Sequence, residues 1–250
     1  MSQVLQPGTQ SLSSAVIWPM VVAKARGHAN AGAPVLTAYD QGARTELSAL
    51  TLANAVAKAA NALVDEADIE PGDLVAVDLP WHWQRCVWLL ACWSAGATVH
   101  LGRDPEQARL QLVGPSIEAP VSQSTNTWAV SLHPLGMPLA ELPAGVEDAA
   151  LMARAGGDDF FAPEVVGPAL ADQTRPFITQ QEAVARVQHE VTQRSPATRL
   201  LIAGEPADGV LAALVLAIAP VLPGTSIVVS ESMNEEQLRQ RADQESATPW

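Results

Sequence analysis

The sequence predicts an α/β fold with a mostly parallel sheet and helices on both faces. Three observations carry this. Pro71 to Leu101 reads as a turn, a buried strand, a helix and a second buried strand. A strand, a crossover helix and a strand make a βαβ unit, which is parallel and right-handed in nearly every case. Strand–helix alternation then returns between Phe177 and Glu245. Finally, 250 residues with 48% hydrophobic content are enough for one sizeable core. A single α/β domain over residues 1–250 is therefore expected, with 1–12 loose and 132–176 irregular.

Taken in order, Ser13 or Ser14 is placed to cap a helix running to about Arg26, with Pro19 restricting its start. Val35–Asp40 and Ala43–Leu47 read as strands joined by Asp40-Gln41-Gly42, a hairpin signal. Ser48 caps the next helix, in which Leu52, Val56, Ala59, Ala60 and Leu63 recur at helical spacing. Leu74–Leu79 is an apolar run between Pro71-Gly72-Asp73 and Pro80, as in a strand covered on both faces. Trp81 to Ala95 follows as a helix, and Gly96 suits its C-terminus. Ala97–Leu101 is β-prone.

Asp104-Pro105-Glu106 has the form of a helix start, which predicts a helix to Val113-Gly114. Short strands follow at Ala119–Ser122 and Thr127–Ser131. Prolines and glycines from Pro134 to Gly145 mark a loop. A short helix is predicted near Glu147–Arg154. Later come a strand at Phe177–Thr179, a helix at Gln180–Gln193, a strand at Thr198–Ala203 and an apolar helix at Ala207–Leu222. A strand at Ser226–Val229 and a polar helix at Asn234–Glu245 complete the alternation.

The formal charge is −13, from 27 acidic and 14 basic residues. Such a surface repels nucleic acid and anionic membranes, so neither is expected as a partner. Val210–Leu222 is too short to span a bilayer, and no signal-peptide pattern surrounds Ala15–Val22. Cys86 and Cys92 lie ~9 Å apart along a helix, at ~1.5 Å per residue, beyond disulfide reach. Reduced thiols in a cytoplasmic protein are the expectation.

Trp81, Trp83, Trp88 and Trp93 crowd one helix. Packing against the sheet is the first expectation. The functional alternative is an interaction face made of Trp81, Arg85 and Trp88. His82 and Cys86 stand at i and i+4, but two ligands are half a zinc site at most, so no metal is expected. No G-x-S-x-G elbow or Cys-x-x-Cys is present, and no catalytic residue is named. Gly204-Glu205-Pro206-Ala207-Asp208-Gly209 follows a predicted strand and opens a helix, where α/β proteins bind ligands. Gly204, Glu205, Asp208 and Gly209 are the candidate pocket loop. Their two carboxylates favour a cationic or neutral ligand over an anion.

Leu52-Ala53-Asn54, Pro71-Gly72-Asp73-Leu74-Val75-Ala76, Leu79-Pro80 and Ala95-Gly96-Ala97 together resemble the N-terminal region of the AMP-forming acyl-CoA synthetase and adenylation-domain superfamily. Gly209–Val229 is a weaker echo of its acyl-pocket elements. The chain also resembles a group of short actinobacterial proteins related to that superfamily. The resemblance implies a fold like the N-terminal region of adenylate-forming enzymes, and it implies a glycine-rich phosphate loop ending in Pro-Lys-Gly. At the corresponding place, Gly167–Thr179 reads GPALADQTRPFIT, with one glycine, no lysine and Asp172. Glycine-rich loops work through close backbone N–H groups and an added cation, and this stretch offers neither. The superfamily's Tyr-Gly-x-Thr-Glu segment and the catalytic lysine of its C-terminal subdomain have no counterpart up to Trp250.

The expectation is therefore a non-catalytic relative of AMP-dependent synthetases and ligases, a pseudoenzyme that binds a small molecule, a protein partner or a second copy of itself. The alternative is a minimal acyl- or nucleotide-dependent ligase or transferase using a residual pocket, with a partner chain supplying the rest. No cofactor is called for by a motif. ATP, AMP and acyl-CoA are the ligands the resemblance leaves open.

Overall fold

The computed structural model describes residues 12–27, 32–103, 106–117, 126–172, 175–194 and 199–250. The chain begins with strand β1 (Ser13–Ser14), helix α1 (Ile17–Gly27), the hairpin β2 (Pro34–Asp40) and β3 (Ala43–Ser48), and helix α2 (Ala49–Asp65). The βαβ unit is β4 (Leu74–Asp78), α3 (Trp83–Ser94) and β5 (Thr98–Leu101). Next come β6 (Leu110–Val113), β7 (Asn126–Ala129), β8 (Glu147–Asp148) and α4 (Ala149–Ala155). The short strands β9 (Val165–Val166), β10 (Leu170–Asp172) and β11 (Arg175–Ile178) lead into α5 (Gln180–Arg194). The last part is β12 (Arg199–Ala203), α6 (Gly209–Ile218), β13 (Ser226–Ser230), α7 (Glu235–Glu245) and β14 (Thr248–Pro249).

These strands make two main sheets rather than one. A seven-stranded sheet has the order β11-β10-β5-β4-β6-β7-β8 and is parallel except at β10–β11. A five-stranded sheet has the order β14-β12-β13-β2-β3 and is parallel except at the β2–β3 hairpin. The prediction of a mostly parallel α/β structure holds in both. Helix α3 touches β4 and β5 of the first sheet, β2 of the second, and helices α1, α2 and α6. This explains its composition: every residue of α3 except Gln84 is buried. One apolar core contains Val75 and Leu110 from the first sheet and Leu36, Leu200 and Ile227 from the second.

Several predicted elements shift. Leu110–Val113 is a strand on the free edge of β4, not the end of a helix from Asp104. Its four side chains are all buried, so pairing with an open sheet edge outweighs the local helix signal. Residues 104–105 lie outside the described residues, as does the predicted strand at Ala119–Ser122. Ser13 and Ser14 pair with Val165 and Val166 instead of capping a helix. The first N–H groups of α1 find an acceptor elsewhere: Val16 and Ile17 both donate to Gln180 Oε1 at 3.1 Å. The loop at Leu132–Gly145 holds no regular element, but β8, α4 and three short strands break up the rest of 132–176.

Candidate binding cleft

Three strand ends converge on one opening. β4 ends at Asp78, β5 ends at Leu101 before Gly102, and β12 ends at Ala203. In parallel α/β sheets ligands bind beyond the carboxyl ends of strands. A cleft of 780 Å³ lies here, between the carboxyl ends of β4 and β5 and the loop that opens α6. Gly204 makes the turn after β12 with φ +75°, and a Cβ there would come within 2.5 Å of Ser232 Oγ. Glycine takes this left-handed turn without strain, and the turn brings Glu205 and Asp208 round to the cleft.

Arg85, in the first turn of α3, donates from Nη1 to Glu205 Oε1 at 2.6 Å. Its side chain is 7% exposed, and Nε is buried without a hydrogen-bond partner. Asp208 caps α6, accepting from Leu211 N at 3.0 Å, and its second oxygen meets Arg186 at 3.3 Å. Asp78 pairs with Arg103 at 2.6 Å. The three carboxylates of the cleft are thus each matched by one guanidinium. Asp208 already occupies the helix N-terminus, where an anion would otherwise bind. The arrangement offers donors and acceptors of both signs and little net charge, so it suits a polar ligand without a large charge of its own.

Of the predicted loop, Glu205, Asp208 and Gly209 line the cleft, and Gly204 supports them from behind. Arg85 joins them, whereas the alternative reading of α3 places it on one face with Trp81 and Trp88. That exposed face does not exist. Trp88 is 3% exposed and packs edge-on against Trp128, with ring centres 6.2 Å apart. Trp81 precedes the helix and is half-buried. With sheets on both sides of α3, its large side chains have nowhere to go but the core. His82 caps α3 through Nδ1, which accepts from Gln84 N at 3.2 Å, while Cys86 is fully buried. Among the described residues no group of three His, Cys, Asp or Glu side chains is placed to hold a metal ion. Asp78, His100 and Gly102 also line the cleft and were not singled out from the sequence. The available signal was positional: they stand at the carboxyl ends of neighbouring predicted strands.

The stretch expected to correspond to a phosphate loop is the antiparallel pair β10–β11, whose tip at 173–174 lies outside the described residues. Gly167, just before it, donates its N–H to Gly96 O at 2.8 Å.

Comparison with known proteins gives a consistent picture. Residues 23–109 match the family model of AMP-binding enzymes. A TIGR03089 family protein of Mycobacterium tuberculosis (strain ATCC 25618 / H37Rv) is 33% identical over 251 residues, covering 95% of this chain and 97% of the relative. Among solved structures, an acyl-CoA synthetase from Brucella canis superposes with a TM-score of 0.70 at 18% identity, over 96% of this chain and 47% of that one. Acetoacetyl-CoA synthetase from Streptomyces lividans gives 0.70 at 16% identity, over 95% of this chain and 42% of its own. The chain spans less than half the length of these two structures. At such identities the likeness shows the fold, that of the N-terminal region of adenylate-forming enzymes.

Proposed function

This chain belongs to the TIGR03089 family and carries the adenylate-forming fold, and from that premise we propose that it is a non-catalytic binding protein of the AMP-binding superfamily, holding a small polar ligand of low net charge in the cleft beside Arg85. The observation that carries this reading is the charge balance of the cleft, where Asp78, Glu205 and Asp208 are each paired with an arginine. A triphosphate would meet three carboxylates and no unpaired cation among the residues named. The stretch Gly167–Thr179 supports the non-catalytic part, since its single glycine and lack of lysine do not make a phosphate cradle. The guanidinium of Arg85, held at the cleft wall by Glu205, supplies the anchor for an acceptor on the ligand.

Thermal shift tests the reading with adenosine, zwitterionic amino acids, AMP, Mg-ATP, coenzyme A and acyl-CoAs. A ligand present at 100 times its Kd adds about 2.7 kcal/mol, which moves the midpoint by a few degrees. The expected outcome is a shift with a neutral or zwitterionic compound, lost in Arg85→Met, and none with Mg-ATP. An acyl-adenylate formed from ATP and a carboxylic acid would overturn the non-catalytic reading.

A further inference from the structure

Lys24, in the last turn of α1, is only 7% exposed. A lysine this deeply placed is ordinarily paired with a carboxylate. Lys24 is not. Its Nζ donates instead to two backbone carbonyls in the turn between α6 and β13, Leu222 O at 2.6 Å and Thr225 O at 2.8 Å. No third acceptor and no carboxylate meets it among the described residues. An ammonium carries three N–H donors, whereas a neutral amine carries two and a lone pair. The two carbonyls thus satisfy the neutral form completely and leave the ammonium one donor short. Burial acts in the same direction and lowers the pKa.

The same side chain lies in the wall of a pocket of 250 Å³, which shares no lining residue with the cleft at Arg85. Lys24 and Val221 are buried, while Ala23, Gly27 and Pro223 are exposed, so the pocket opens to solvent at one end and reaches the lysine at the other. Met20 adds to an otherwise apolar lining, in which Lys24 is the one polar side chain among the described residues. A lysine desolvated in an apolar pocket is the setting in which its amine serves as a nucleophile towards carbonyl compounds.

The geometry points to Lys24 as a reversible covalent site for a small apolar aldehyde. The amine lone pair forms the C–N bond at the carbonyl carbon. The carbonyl oxygen leaves as water, with one proton from the amine and one from solvent, and a protonated imine remains. Its single N–H still serves one of the two backbone carbonyls, and hydrolysis returns the free amine by the same steps in reverse. An aldehyde that also bears a carboxylate is disfavoured, because its charge would enter an apolar wall without a partner.

The chain has two lysines, Lys24 and Lys58, so the site can be mapped directly. Lys58 is matched by Asp158 at 3.2 Å and serves as the internal comparison. The full chain is incubated at neutral pH with butanal and sodium cyanoborohydride, which reduces the imine to a stable secondary amine, and digests are read by mass spectrometry. Lys24 should gain the butyl group roughly tenfold faster than Lys58, in proportion to its larger neutral fraction. Glyoxylate in place of butanal should abolish that preference. Ala23→Phe, at an exposed position on the rim, should slow the reaction of Lys24 about fivefold by narrowing the entrance, and leave Lys58 unchanged. Arg85→Met should alter neither rate, which separates this site from the cleft. Labelling of Lys24 no faster than Lys58, the same preference with glyoxylate, or an undiminished rate in folded Ala23→Phe would overturn the proposal.

Discussion

His82 ties the start of helix α3 to the protonation state of one imidazole. Its Nδ1 must carry a lone pair to accept from Gln84 N, and its ring is buried, so protonation costs both the cap and desolvation. Burial lowers its pKa from 6.5 to about 4. The sign follows from the unfolded chain, which takes up the proton first as pH falls. Stabilisation is complete above about pH 6.5 and is lost between there and about pH 4, by up to about 3 kcal/mol. In His82→Asn, which keeps a capping acceptor, the unfolding midpoint should be nearly constant over that window. A midpoint that still falls as steeply as in the parent would show that other groups carry the effect. Arg85 and Glu205 show the limit of residue-level reading. The sequence singles out both, yet nothing at either position announces that they meet across a separation of 120 residues.

At the scale of elements, Gln180 joins two helices distant in sequence. Its Oε1 accepts from Val16 and Ile17 at the start of α1, and its Nε2 donates to Trp93 O near the end of α3 at 2.8 Å. The side chain is fully buried, so none of these groups has water as a substitute. Gln180→Leu conserves much of the volume but strands two donors and an acceptor. It should cost about 2–4 kcal/mol in chemical denaturation, and amide exchange in the first turn of α1 should quicken. Exchange unchanged at Val16 and Ile17 would contradict this role. The same logic explains the misplaced first helix: the local signal was a serine cap, whereas the residue that caps α1 comes from 163 positions away. The hairpin β2–β3, helix α2 with its Ser48 cap, and the βαβ unit were all legible, because their signals lie within the elements themselves.

At the scale of the molecule, Glu245 fastens the end of α7 to the five-stranded sheet. It accepts from Tyr39 on β2, from Arg44 Nε on β3 at 2.9 Å, and from Arg199 Nη2 on β12 at 2.7 Å. Burial pushes its carboxyl up, but the bonds from Arg44, Tyr39 and Arg199 outweigh it and hold the pKa at about 2. Folding favours the ionised form, so its contribution is present above about pH 4.5 and is lost as pH falls towards 2. Acid unfolding should therefore show two windows, first that of His82 and then that of Glu245. Glu245→Gln should remove the lower one and cost about 3 kcal/mol at neutral pH, since it leaves Arg199 largely buried beside a neutral group. A variant as stable as the parent would contradict this.

By itself the sequence determined the alternation of strands and helices, the parallel character of the sheets, the burial that so apolar a helix as α3 demands, and the place of the Gly204–Gly209 loop at a strand end. These follow from periodicity, capping and turn chemistry, which act within a few residues. Only the tertiary structure decided that the strands divide between two sheets around α3, that Leu110–Val113 joins β4 as a strand, and that Arg85 turns towards Glu205 while Trp88 turns into the core. Such outcomes depend on which edges and faces remain open after the rest of the chain has packed, a long-range competition that leaves no fixed spacing in the sequence.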